Sequence, residues 1–295
     1  MSEEDASDRP LTGTTGRLVL VATPIGNLGD LSDRSLAALR DADVIACEDT
    51  RRTGGLLHRS GITGKRFLVV NEHTELDRVP DVIRLLADGA TIALCSDAGS
   101  PGISDPGERL VRAAIDAGFE VTAVPGPAAV VMALGISGLP TGRWVFEGFL
   151  PRSGSGRAER LAELTDERRT IVLYEAPHRV ARTVDDLAEA CGEDRSVVLA
   201  RELTKMHEEV WRGTLGEARR HLASREPLGE YVIVLAGARA LGPANDDEIR
   251  AALRERLDAG LTTKSAVAEV TAALRAPKRT VYDLALGLAA ARRDG

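Results

Sequence analysis

From Leu18 onward, short apolar runs alternate with amphipathic stretches. Residues 18–23, 44–47, 67–70, 91–95 and 121–124 are short and rich in β-branched side chains, as strands buried on both faces are. The segments between them carry helical spacing. Ser32 can cap a helix over 33–40 that sets Leu36 and Leu39 on one face, 81–86 belongs to a second helix, and 108–117 ends at Gly118, a natural C-cap. This alternation predicts a mostly parallel sheet with helices on both faces, the α/β class.

A second series begins near Trp144. Its strands are expected at 144–149, 170–174, 197–200, 210–215 and 231–235, and its helices at 157–164, 178–190 and 216–222. The segment "ISGLPTGR", 136–143, holds two glycines and a proline and is the expected hinge. The pattern therefore predicts two α/β domains, 16–138 and 139–240, after a polar stretch 1–15 that reads as disordered. From 245 to 295 the pattern is helical throughout. Asp246 or Asp247 can cap a first helix bearing Ile249, Leu253 and Leu257, which Gly260 ends. Ala266, Val267, Val270 and Leu274 mark a second helix, and Val281, Leu284, Ala285 and Leu288 a third. Lys264, Arg275, Lys278 and Arg279 form a basic cluster in this tail.

Composition narrows the function classes. The net charge of −7 argues against non-specific nucleic-acid binding, so any RNA contact must be a local patch. Aromatic residues are only 3%, too few for a base-stacking platform. No apolar run is long enough to span a bilayer and the acidic start "MSEEDASDRP" does not read as a signal peptide, so a cytoplasmic protein is expected. Cys47, Cys95 and Cys191 are far apart and read as buried, inert thiols, and with no CxxC or HExxH no metal site is expected.

The strand ends carry the chemistry. After the expected strands come "PIGNLGD" (24–30), "EDTRR" (48–52), "SDAGSPGISDPG" (96–107), "PGPAA" (125–129) and "EAPHR" (175–179). In open α/β sheets, ligands gather beyond the carboxyl ends of strands. Any one of these loops alone reads as a turn or a helix cap, with Asp105 a candidate cap; five together point to a site. Neither GxGxxG nor GxxxxGK[ST] is present, and an aspartate in the glycine-rich cradle would repel phosphate. A cationic ligand suits it better. S-adenosylmethionine carries a sulfonium, an ammonium and ribose hydroxyls, and has no phosphate.

Taken in order, "TPIGNLGD", "EDTR", "SDAGSPGISDPG", "VPGPAA", "FEGFLP" and "YEAPHR" resemble the tetrapyrrole (uroporphyrin/corrin) methylase superfamily, and within it the branch that 2′-O-methylates a cytidine of 16S rRNA. The resemblance covers 17–237, and the tail is similar to that branch's helix-turn-helix-like end. One departure is Ala128, where a serine is common. The resemblance implies two α/β domains with S-adenosylmethionine in the cleft between them, a homodimer, and 16S rRNA within the 30S subunit as partner. It places the cofactor against Pro24, Asp97, Gly99, Ser100, Pro101, Ala128, Ala129, Tyr174, Glu175 and Val232. Tetrapyrrole methylation on the same scaffold and a non-catalytic ribosome-assembly role are the rival functions.

Transfer of a methyl group to a ribose hydroxyl is an in-line displacement in which the sulfonium charge disappears. A carboxylate on the sulfur would favour the ground state, so Asp97 is expected to face the amino group or the ribose. The hydroxyl proton needs a base, for which Glu48, Asp49, His178 and Lys205 are candidates. Arg51, Arg179, Lys278 and Arg279 are candidate RNA contacts.

Overall fold

The structure, a computed structural model, describes residues 16–239, 245–274 and 276–291. The expected disorder of 1–15 and the place of Arg275 lie outside the described residues. The chain divides into two compact units, one ending at Ala238 and one beginning at Arg239. Among the described residues no helix is long and apolar enough to cross a membrane.

The first unit opens with β1 (Arg17–Val21), α1 (Asp33–Asp41), β2 (Val44–Cys47), α2 (Thr50–Arg59), β3 (Arg66–Val69), α3 (Glu75–Ala87), β4 (Thr91–Leu94), α4 (Glu108–Asp116) and β5 (Glu120–Val124). The strands form one parallel sheet in the order β3-β2-β4-β1-β5. Its pleat sends alternate residues to opposite faces. Leu18, Val44, Ala46, Ile92 and Leu94 pack with Val82, Leu86 and Leu110 on one face. Val19, Val21, Ile45, Ala93 and Cys95 pack with Leu39 and Leu57 on the other. Ser32 caps α1 as expected, accepting a hydrogen bond from the Ser35 amide. Of the three thiols, Cys47 and Cys95 are buried, whereas Cys191 is only partly so.

The unit continues with α5 (Ala129–Ser137), β6 (Trp144–Phe149), α6 (Ser155–Thr165), β7 (Thr170–Glu175), α7 (Pro177–Cys191), β8 (Ser196–Arg201), β9 (Glu209–Thr214), α8 (Leu215–Ala223) and β10 (Tyr231–Leu235). The second sheet runs β6-β7-β10-β8-β9, and only β6 and β7 are parallel. The loop 202–208 is too short for the crossover a parallel neighbour needs, so β8 and β9 form a hairpin-like pair, and β10 enters antiparallel between β7 and β8. Helices α6, α7 and α8 cover one face around Leu164, Val184, Leu187 and Leu222. The other face is covered by α5, whose Val130, Ala133 and Leu134 meet Val172, Val198, Val232 and Val234. Neither α2 nor α5 was expected from the pattern.

The second unit holds α9 (Asp246–Asp258), α10 (Thr263–Leu274) and α11 (Lys278–Ala291). The expected apolar positions form its core: Ile249, Leu253, Ala266, Val267, Val270, Val281 and Ala285 are buried together. The cap differs from expectation. Asn245, not Asp246 or Asp247, accepts from the Asp247 and Glu248 amides, and Glu248 returns a bond to the Asn245 amide. Starting one residue earlier places both aspartates in the first turn, where their charge interacts favourably with the helix dipole.

Candidate active site

The loops after β1, β2, β4 and β5 are laced together by hydrogen bonds to their backbones. Thr23 and Gly99 exchange two backbone hydrogen bonds of 2.9 and 3.1 Å, and the Thr23 hydroxyl donates to the Ser96 carbonyl. This close approach needs Gly99, whose φ is +93° and where an added Cβ would lie 3.3 Å from Ile25. Glu48 Oε1 accepts the Asp97 amide at 3.1 Å, and Asp97 Oδ1 accepts the Asp49 amide at 3.2 Å, so the β2 and β4 loops hold each other in register. Ser100 Oγ donates to the Pro127 carbonyl at 3.2 Å and brings in the loop after β5. Asp105 is not the cap of α4. Gly107 is the N-cap, and Glu75 reaches over from α3 to accept the Gly107, Arg109 and Leu110 amides.

The facing wall comes from the second sheet. The Tyr174 hydroxyl accepts the Val130 amide at 3.0 Å. That amide belongs to the first turn of α5, whose N-cap Ala128 has no side-chain oxygen to offer. Tyr174 therefore supplies the acceptor that a serine in place of Ala128 would otherwise provide. Phe146 and Phe149 stand edge-on to the Tyr174 ring. Lys205 bridges Glu202 Oε1 at 2.7 Å and Glu230 Oε2 at 2.8 Å, fixing the loop 202–208 to the start of β10. The backbone of Gly26 lies against this lysine: a Cβ there would sit 2.3 Å from Lys205 Cγ.

Between these walls lies a cavity of about 490 Å³. Six carboxylates line it, those of Glu48, Asp97, Asp105, Glu175, Glu202 and Glu230, against two cations, Arg52 and Lys205. Both cations are committed, Lys205 as above and Arg52 to Asp97 at 3.4 Å. Glu175 is turned inward to Arg179, Thr183 and the Ala176 amide. Glu48 and Asp105 make no ion pair with any described residue. Burial raises the pKa of Glu48 above its usual range, partly offset by the Asp97 amide. Burial also raises Asp97, against the pull of Arg52. Asp105 is pushed up to about 7 by burial and by Glu48, with Asp97 and Glu230 adding to it and a hydrogen bond with Ser96 opposing it. Burial works against the charge of Lys205, but its bonds to Glu202 and Glu230 prevail and raise its pKa, so it stays protonated. Such a cavity attracts a cation and repels a polyphosphate.

The fold brings most of the expected residues to this cavity: Glu48, Asp97, Gly99, Ser100, Ala128, Ala129, Tyr174, Glu175, His178, Lys205 and Val232 line it. Pro24, Pro101, Asp49, Arg51 and Arg179 do not. Asp49 caps α2 and is paired with Arg51 Nη2 at 2.7 Å, which holds its carboxyl down at about 2. Arg179 binds Glu175 and the Leu150 carbonyl. Lys278 and Arg279 open α11 in the second unit, both exposed. Sequence reasoning missed Arg52, Glu202 and Glu230 as wall residues, and read Asp105 as a cap. The "SDPG" context of Asp105 carried the cap signal, whereas the other three depend on loops meeting across the cleft.

Two unlike sheets with their helices, in one compact unit, border an acidic cavity and define an α/β scaffold of the methylase kind. The sequence model of the Tetrapyrrole (Corrin/Porphyrin) Methylases family matches residues 17–219. A protein named ribosomal RNA small subunit methyltransferase I from Synechocystis sp. is 44% identical over 277 residues, covering 93% of this chain and 99% of that protein. One of the same name from Mycobacterium tuberculosis is 46% identical over 275 residues, covering 92% and 95%. Among solved structures, uroporphyrin-III-C-methyltransferase from Thermus thermophilus shares the fold, with a TM-score of 0.54 and 21% identity over 76% of this chain and 95% of that one. The chain belongs to the tetrapyrrole methylase family and, within it, to the family of ribosomal RNA small subunit methyltransferase I.

Proposed function

We propose that the protein transfers a methyl group from S-adenosylmethionine to the 2′-hydroxyl of a cytidine ribose in the decoding centre of 16S rRNA. It acts in the cytoplasm on the 30S subunit and works as a homodimer. The observation that carries the choice of donor is the excess of carboxylates in the cavity, two of them without a cation partner. Glu48, Asp97 and Asp105 suit an ammonium group and ribose hydroxyls, and the apolar surface of Ile25, Leu203 and Val232 suits an adenine ring. The rRNA target is supported by the names of the relatives, and the ribose position by the motif resemblance.

Bound there, S-adenosylmethionine would supply an electrophilic methyl carbon. The chain's own residues supply position and a proton acceptor. Of the four bases expected from the sequence, Glu48 and His178 line the cavity with side chains held by no ion pair among the described residues. Lys205 is held protonated and serves instead to fix the loop 202–208. Asp105, with its pKa near neutrality, joins the candidate acceptors. The test is reaction of 30S subunits with labelled donor, followed by mass-spectrometric mapping of the rRNA. One additional methyl group on a cytidine ribose is expected. Methylation of uroporphyrinogen with none of 30S subunits would replace the reading with tetrapyrrole methylation. Absence of donor binding in calorimetry would leave a non-catalytic assembly factor.

A further inference from the structure

A second cavity, of about 340 Å³, adjoins the first, and the two share His178. Its lining is Arg152, Arg157, His178, Arg179, Arg182 and Thr183, with four guanidinium groups and no carboxylate. In a chain of net charge −7 this is a concentrated reversal of sign. We propose that this cavity binds a backbone phosphate of the RNA substrate, with Arg152 and Arg182 as the ligating cations. The proposal rests on the RNA-methylation reading above and names the subsite that orients the nucleotide.

The four arginines divide by their partners. Arg157 is almost fully buried, at 5% side-chain exposure, and engages Asp186, the Pro151 carbonyl and the Thr183 hydroxyl at 2.7–3.0 Å. Arg179 is tied to Glu175 and the Leu150 carbonyl. These two, each balanced by a carboxylate, form a fixed floor. Arg182 is 63% exposed, and its one ion pair, to Asp186 at 3.9 Å, is shared with Arg157. Arg152 is exposed and makes no hydrogen bond or ion pair with any described residue. Arg152 has no partner among the described residues and Arg182 is held only by a long, shared ion pair, so both can turn to a phosphate, which guanidinium binds in a bidentate manner.

The backbone adds to this. Arg157 lies in the first turn of α6, and His178 and Arg179 in the first turn of α7. Neither N-cap, Gly154 or Ala176, supplies a capping side chain. The first turns of two helices thus supply lining residues to one arginine-lined cavity. The arrangement suits the proposed reaction. The 2′-hydroxyl of a ribose is on the carbon next to the one bearing the 3′-phosphate. A phosphate held on the basic side of His178 would direct the neighbouring hydroxyl toward the acidic side.

The experiment uses the full chain with the Arg152→Ala/Arg182→Ala double substitution and a matching lysine pair. Binding is measured by filter retention with 30S subunits and with an unstructured cytidine-containing oligoribonucleotide over a salt series. Calorimetry with S-adenosylmethionine and with inorganic phosphate completes the set. The alanine pair should weaken RNA binding about 10–100-fold and reduce the slope of log K against log salt by about 1–2. Donor affinity and melting temperature should stay as in the unaltered protein, and the lysine pair should recover part of the loss. RNA affinity and salt slope unchanged in the alanine pair would overturn the proposal. Phosphate binding lost without any RNA effect would also overturn it, and would identify free phosphate as the ligand. Oligonucleotide binding does not depend on turnover, so a failure to methylate 30S subunits would count against the parent reading alone.

Discussion

Asp105 is a carboxyl held in two opposing ways: its neighbours push its pKa to about 7, and the ligand they suit would pull it down. In the unfolded chain it loses its proton near 3.8, and in the folded chain near 7. Between those values the native state holds a proton that the unfolded state does not, so stability falls as pH rises. The cost is fully present above about 7 and absent below about 4. A rise of this size corresponds to about 4 kcal/mol at full strength. Asp105 is partly exposed, and solvent screening brings the expected effect to about 1–2 kcal/mol. Asp105→Asn should therefore be more stable than the unaltered protein at pH 8 in urea melts, with the advantage gone by pH 4. Donor affinity in calorimetry should climb severalfold from pH 5.5 to 8, and the substitution should flatten that climb. An affinity independent of pH in the unaltered protein would remove Asp105 from the ligand's surroundings. Glu75 is the structural counterpart. One of its oxygens accepts three amides at the start of α4, and removing it leaves those donors buried. Glu75→Ala should cost about 2–3 kcal/mol in chemical denaturation, and Glu75→Gln, which keeps a carbonyl acceptor, should cost less.

Helix α5 shows how an element can be present in the sequence and hard to read there. It is apolar on every side, so no helical face stands out, and it begins at the last residue of "PGPAA". Its role is to cover the face of the second sheet opposite α6, α7 and α8, and its first turn rests on the Tyr174 hydroxyl. A double-mutant cycle isolates that contact. Tyr174→Phe should cost about 1 kcal/mol, and Ala128→Ser, which restores a cap oxygen, should gain about 0.5–1 kcal/mol. In the Ala128→Ser background the phenylalanine substitution should become nearly neutral, because a single amide is served by either oxygen. Additive effects would show that the tyrosine acts through its ring contacts alone. Helix α2 was hidden for another reason. Gly54 and Gly55 lie in its middle and read as a break, yet Leu56 and Leu57 are buried, Leu57 against the parallel sheet. The inner strands β2, β4, β7, β8 and β10 were legible because burial on both faces forces continuous short apolar runs, and all ten strands lie within two residues of the expected bounds. The site was legible where one loop carries its own signal, as at Asp97 and Gly99. It was illegible where distant segments must meet, as with Arg52, Glu202 and Glu230: Arg52 reaches Asp97 and Lys205 reaches Glu230 across the fold, and the chain order encodes neither pairing locally.

At the scale of the whole molecule, the two units keep separate cores. The buried cluster of the tail draws only on α9, α10, α11 and their connections, and the four clusters of the first unit include no residue beyond Leu235. Where the first unit ends is set by local contacts. The Ala238 amide donates to the Glu167 carbonyl, and Gly237 lies against the Arg168 backbone so closely that a Cβ would be 2.0 Å from its carbonyl oxygen. Cutting before these residues would release the end of β10, which lies between β7 and β8 in the second sheet. Cutting after Arg239 removes no core side chain of the first unit and none of its sheet hydrogen bonds. The chain 1–239 should therefore keep the donor affinity of the full protein within about twofold, since none of the residues lining the acidic cavity is lost. Its melting transition should also be preserved. Lys264, Lys278 and Arg279 go with the tail. If they add to the grip on the ribosomal particle, binding of 30S subunits should weaken severalfold and become less sensitive to salt. Equal binding of 30S subunits by the full and shortened chains would confine RNA recognition to the first unit, and the arginine-lined cavity beside His178 would then be its principal charged contact.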